Sequence, residues 1–167
     1  MRKREWNFGI AILCFVTLFS SCLSWSKFLT PSIPQEVIDD ARANELPIII
    51  AGVYTSSPNS AGGVDLTIVY KNISDRTIKY AIFRVEAFNR VDDPVRCEIR
   101  NDKYFGGRDT GPIEPSKFSG IGKAWTNAWY NNSITYAKID RVTIIYMDNQ
   151  EEDFSGKNIA RMINSQQ

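Results

Sequence analysis

Four carboxylates fall within six positions: Asp148, Glu151, Glu152 and Asp153. Hard cations such as Ca²⁺ gather several oxygen ligands of this kind. The run lacks the glycine and closing glutamate of a helix–loop–helix calcium loop, so it reads first as a solvated acidic loop. Asp92-Asp93, just ahead of Pro94, likewise reads as a turn before a ligand pair. Trp125, Trp129 and Tyr130 crowd another six positions, with Asn127, Asn131 and Asn132 among and after them. Rings beside amides can form a platform for a sugar, a peptide or another ring system. The competing reading puts a tryptophan in the core and the asparagines in turns. Cys97 is the last candidate. It alternates with Val95 and Ile99, which places its thiol on an apolar face, and inert burial is the expected state.

Chemistry is restricted further by what is missing. The chain has no histidine, and so lacks the commonest general base and the commonest metal ligand. Paired carboxylates can hydrolyse glycosides, yet no Asp or Glu here sits in a run that implies burial and a raised pKa. The expectation is a non-enzyme with no catalytic residue, no metal and no cofactor; a small secreted hydrolase is the remote alternative. The formal net charge is +1, and Arg2, Lys3 and Arg4 against Glu5 account for +2 of it. The remainder is therefore slightly acidic, with no overall field for a phosphate backbone, and nucleic acid is not an expected partner. Of three cysteines, Cys14 and Cys22 lie near the start, so Cys97 has no partner for a disulfide within the body.

The elements that must position these groups begin with a leader. Arg2-Lys3-Arg4 form a basic start, and Phe8 to Phe19 (FGIAILCFVTLF) is an uninterrupted apolar run. Its dozen residues suit a signal segment, since a permanent span needs about 20. Ser20-Ser21-Cys22 follows, an order that resembles a lipobox although Phe19 stands where leucine is usual. Lipid attachment at Cys22 after cleavage is the leading expectation. Plain cleavage near Ser24–Ser26 and an uncleaved anchor remain open alternatives. The segments expected are a signal peptide over 1–22, a tether with a short helix over 23–46, a β-sandwich over 47–155 and a tail over 156–167.

Beyond the leader, Pro34 can open a short helix that Asn44 closes before Pro47. From Ile48 the period changes. Ile48-Ile49-Ile50 suits a strand, and Val64, Leu66, Ile68 and Tyr70 alternate with more polar neighbours. Asn72-Ile73-Ser74-Asp75 is turn chemistry, expected to close a hairpin. Thr77 to Asn89 is apolar on both faces over its first half, the mark of a central strand or a bulge. Val95 to Arg100 alternates as a strand with one wet face; Gly106-Gly107 and Gly111-Pro112 bracket an expected loop. Phe118 to Ala124 reads as a weak edge strand, Ile139 to Met147 as the last clear strand, and Lys157 to Ile163 as a short tail helix. Short strands with turn signals between them predict an all-β, antiparallel, immunoglobulin-like sandwich.

The stretch Val64–Asp148 resembles a bacterial family of uncharacterised extracytoplasmic β-sandwich domains. The residues that carry the resemblance are YKNISDRTIKY (Tyr70–Tyr80), FNRVDDPVRC (Phe88–Cys97), TGPIEP (Thr110–Pro115), AWTNAWYNN (Ala124–Asn132) and IIYMD (Ile144–Asp148). The resemblance implies fold and compartment but supplies no active-site residue. Together these readings predict an exported, membrane-anchored interaction module of the cell envelope that binds a protein, peptide or glycan. A structural spacer without a ligand pocket is the alternative.

Overall fold

The computed structural model describes residues 31–119 and 124–163. The expected leader, Cys22 with its lipid, the chain before Pro31, part of the expected Phe118–Ala124 strand and the last four residues lie outside the described residues. The described chain is all-β but for two short helices, and its strands form two antiparallel sheets around one core. In the first sheet, β2 (Gly63–Asn72) lies between β1 (Ile48–Thr55) and β6 (Ala124–Tyr130). The second sheet is built on β3 (Ile78–Phe88). Along one edge β3 pairs with the two-residue β4 (Pro94–Val95) and with β5 (Tyr104–Ile113). Along the other it pairs with β7 (Tyr136–Tyr146), which in turn pairs with β8 (Glu151–Ser155). β3 is thus central, as its two apolar faces predict.

Alternation decides which side chains enter the core. Ala81, Phe83, Val85 and Ala87 are all fully buried on the inner side of β3, facing Val64, Leu66 and Tyr70 from β2. The Phe83 ring meets Tyr70 at 5.2 Å and Trp125 at 6.2 Å. Tyr70 donates its hydroxyl to Asp109 at 2.9 Å inside the core, and burial with the nearby carboxylate pushes its phenol far above the ordinary range. Two helices close the core: α1 (Gln35–Ala43) with Ile38 and Ala41, α2 (Lys157–Met162) with Ile159 and Met162. Since Ile38, Ala41 and Leu46 are core residues, folded structure extends upstream of residue 47.

Several expectations are corrected. The Asn72–Asp75 turn does not close a hairpin, because β2 and β3 belong to different sheets. It carries the chain across the core. Asn72 is fully buried; its amide donates to the carbonyls of Arg76 (2.8 Å) and Ile113 (2.9 Å) and accepts from the Ser74 N–H and hydroxyl. Gly106-Gly107 and Gly111-Pro112 lie not in a loop but within β5. A Cβ on Gly107 would stand 2.9 Å from the Trp125 indole, and one on Gly111 only 2.3 Å from the Ile78 carbonyl oxygen. Glycine is needed there for close approach rather than for a turn. Val95–Arg100 is no strand beyond β4: the chain turns after Cys97, and Ile99 is 69% exposed. The acidic run is partly strand, because Glu151–Asp153 pair with β7 as β8.

Asn72→Ala would leave two buried carbonyls without their donors, each costing about 1–3 kcal/mol. Chemical denaturation is expected to show a loss of about 2–4 kcal/mol. A change below 0.5 kcal/mol, roughly the surface-substitution level, would overturn the role given to this turn.

Candidate functional site

The aromatic cluster on β6 does not form an exposed platform. β6 pairs with β2, setting Trp129 opposite Val64 and Trp125 opposite Leu66, and this register turns both indoles toward the core. Trp129 has no exposed surface and stacks obliquely on Phe105 at 5.4 Å. It is therefore a core residue rather than a ligand contact. Trp125 is half-buried between Phe83 and Phe105, and Tyr130 is half-buried against the same core. The asparagines make local hydrogen bonds: Asn127, within β6, accepts from the Asn59 amide, and Asn131 bonds the Arg96 carbonyl and the Ser133 N–H.

Cys97 is fully buried, as expected, although Ile99, its partner in the expected alternation, is exposed. Burial raises its pKa, but backbone N–H groups of Arg100, Tyr130 and Ile99 outweigh that effect and hold the thiol below its ordinary value. Three of the four carboxylates in the acidic run are engaged. Arg76 binds Asp148 at 2.7 Å and Glu152 at 3.4 Å, and its guanidinium lies 3.6 Å over the centroid of the Tyr146 ring. Glu152 also accepts from the Tyr146 hydroxyl at 2.9 Å, and Asp153 accepts from Thr143. Asp92 accepts from the Tyr136 hydroxyl. Among the described residues, no group of three or more Cys, Asp or Glu side chains could hold a metal ion.

Two concavities mark the body. An apolar groove of about 480 Å³ runs between β1, β7 and α2, with Ile50, Val53, Ile139 and Ile159 in its wall. A more polar recess of about 610 Å³ is lined by Arg42, Ile73, Ser116 and Tyr146 around the Arg76 network. Neither brings together a set of groups with evident chemistry.

The outer face of the second sheet is different. On β3 the side chains opposite the core are Tyr80, Ile82, Arg84, Glu86 and Phe88; β5 adds Tyr104 and Arg108, and β7 adds Tyr136, Lys138 and Arg141. Cations lie over the rings. Arg84 is 4.7 Å from the Tyr104 centroid, Arg108 is 4.9 Å from Tyr80, and Lys138 is 4.5 Å from Phe88, itself stacked on Tyr136 at 5.3 Å and 11°. Glu86 binds Lys103 at 3.1 Å, and Asp140 binds Arg84. The Lys103 ammonium donates to the Tyr104 hydroxyl and the Glu86 carboxylate, and these bonds raise its pKa.

Sequence reasoning missed this face because four of its residues fall where no strand was expected or where strand pairing decides their neighbours. The visible signal was the alternation Tyr80-x-Ile82-x-Arg84-x-Glu86-x-Phe88. No protein family, curated protein or solved structure matches the chain.

The Arg76 network has a pH signature. The Gln150 backbone N–H and the Arg76 guanidinium hold the Asp148 carboxyl below its ordinary value. A carboxyl depressed in the folded state stabilises above its unfolded pKa and loses that contribution as pH falls through the folded one. Asp148→Asn is therefore expected to lower Tm at neutral pH by no more than about 3 °C, since the pair is exposed. The gap from wild type should close below about pH 4, as scanning calorimetry can check. A gap that persists in acid would refute the assignment.

Proposed function

We propose that this chain is an exported, membrane-anchored, non-catalytic module of the cell envelope that binds a protein or glycan partner on the outer face of its second sheet. The body takes an immunoglobulin-like sandwich arrangement in this reading, in keeping with two antiparallel sheets around a shared core. Export and anchoring rest on the leader: the basic start, the apolar run Phe8–Phe19, and Ser20-Ser21-Cys22 as the acylation site. Among the described residues no helix is long and apolar enough to cross a membrane, so the anchor is assigned to the N-terminal segment.

One observation carries the binding role. The outer face presents aromatic rings and cations together on rigid strands, and its central strand is held along both edges. Aromatic and arginine side chains are the types that dominate binding energy at interfaces. A face built only to be wetted needs neither the rings nor their alignment.

Two measurements test the two halves of the proposal. Cells fed a labelled fatty acid should label the wild-type chain and not Cys22→Ala; label retained by the variant would end the lipid assignment. A photo-crosslinking residue placed at Thr143, on the outer face, should give an adduct in intact cells. The same probe at the exposed Thr126 of the first sheet should not. Equal yields at both positions, or none at either, would favour a plain spacer.

A further inference from the structure

We infer that the outer face of the second sheet pairs with the same face of a second copy of this chain, about a two-fold axis that runs along the strands. This rests on the proposed binding role and names the partner.

The face carries opposite charges on opposite margins. Its strands lie in the order β5, β3, β7, β8, and one cross-strand row reads Arg108, Ile82, Thr143, Asp153. The next row runs through Tyr80 and Ile145 to Glu151. Arg108, Asp153 and Glu151 are exposed, and the side chains between them are half-buried. Among the described residues Arg108 has no carboxylate partner, and Glu151 and Asp153 have no cation. Three strand spacings set the two margins roughly 14 Å apart. That exceeds the screening length of about 8 Å at physiological salt, so they cannot neutralise one another within one chain.

A second copy, turned by half a revolution about an axis between β3 and β7, brings them together. The rotation lays β5 on the partner's β8 and β3 on the partner's β7. Arg108 then faces the partner's Asp153, and the reciprocal contact forms on the other side, the self-complementarity that a closed two-fold pair requires. Facing sheets stand about 10 Å apart, a gap that an arginine and an aspartate extended toward each other can bridge. Between the two ion pairs, Ile82 meets the partner's Thr143 and Tyr80 meets the partner's Ile145. Farther along the strands, Glu86 comes over the partner's Lys138 and Phe88 over the partner's Tyr136. One row opposes association: Arg84 meets the partner's Arg141, and the Asp140 carboxylate bound to Arg84 offsets that charge.

Other arrangements fit less well. An axis across the strands would lay β8 on the partner's β8 and set Glu151 and Asp153 against like charge. The axis along the strands also keeps the two Pro31 ends on one side, as two chains anchored in one membrane require. From Tyr80 to Phe88 along β3, and from β5 across to β8, the face covers roughly 500 Å². Two such faces bury roughly 1,000 Å², the lower bound for a specific pair. Confinement to one membrane raises the effective concentration of the two copies and favours so small an interface. A neutral glycan would use the rings but leave the charged margins without partners.

The test co-expresses two forms of the full chain in intact cells, with different C-terminal tags and the photo-crosslinking residue at Thr143 in each. That residue faces the partner's Ile82 near the axis, so adducts should carry both tags. R108E in both forms, or D153K in both, sets like charges face to face and should cut the doubly tagged adduct at least about tenfold. R108E in one form with D153K in the other restores opposite charges at both contacts. That mixture should recover at least about half of the wild-type adduct. Both positions are exposed, so neither change should move Tm by more than about 2 °C. A doubly tagged adduct that survives either reversal, or that the mixture fails to recover, would overturn the inference. Thr143 adducts that join a single tag to another molecule would reject self-pairing and spare the binding role. No adduct at all would reject both.

Discussion

Phe83 leaves the inner side of β3 and fills the space between Tyr70 and Trp125, contributed by the facing sheet. Nearly everything else follows from that contact. A strand sends successive side chains to opposite faces, so committing Ala81, Phe83, Val85 and Ala87 to the core commits Tyr80, Ile82, Arg84 and Glu86 to the outside. A one-residue slip would exchange the two sets and bury a guanidinium and a carboxylate. The hydrophobic effect thus fixes the composition of the outer face indirectly, through the residues it draws inward. A buried phenylalanine of this kind is worth about 3–5 kcal/mol against alanine, far more than any exposed ion pair on the other side.

Neighbouring strands then decide what the outer residues meet. β5 brings Tyr104 beside Glu86 and sets Arg108 beside Ile82; β7 brings Lys138 beside Glu86 and Tyr136 beside Phe88. The cation–ring contacts on this face are mostly cross-strand or diagonal pairs, of the kind that stabilise a sheet by a few tenths of a kcal/mol to about 1 kcal/mol each. The same contacts that steady the sheet also hold the guanidinium groups in place.

How much of this could be read beforehand depends on how local the cause was. The strands over Val64–Lys71, Thr77–Asn89 and Ile139–Met147 were legible, since each carries its own alternation. The first helix was legible from Pro34 and Asn44 at its ends, and the second was expected over Lys157–Ile163. β5 was not, because Gly106-Gly107 and Gly111-Pro112 look like punctuation until Trp125 and the Ile78 carbonyl are seen pressed against them. β8 hid behind its acidity; only Glu152 and Phe154 turn toward the sheet's inner side, while Glu151, Asp153 and Ser155 are exposed. The tryptophan cluster stayed open between platform and core for a similar reason. Whether a ring faces in or out depends on the register with β2, which composition does not carry. The outer face itself was out of reach, since its cations come from separate strands and become neighbours only by pairing.

One irregularity ties the core to the face. Lys138 and Arg141 are three residues apart, so a regular strand would point them to opposite sides. The β3–β7 register shifts at Arg84/Val85: Arg84 pairs with Arg141 and Val85 with Ile139, leaving Asp140 as an extra residue. That bulge resets the parity. Ile139 and Val142, also three apart, both enter the core, while Lys138 and Arg141 are both exposed. The inserted residue is an aspartate, and it binds Arg84. With a neutral residue there, the repulsion between Arg84 and Arg141 would be fully felt. That carboxylate offsets the positive charge of Arg84 where it stands opposite Arg141 across the β3–β7 pairing.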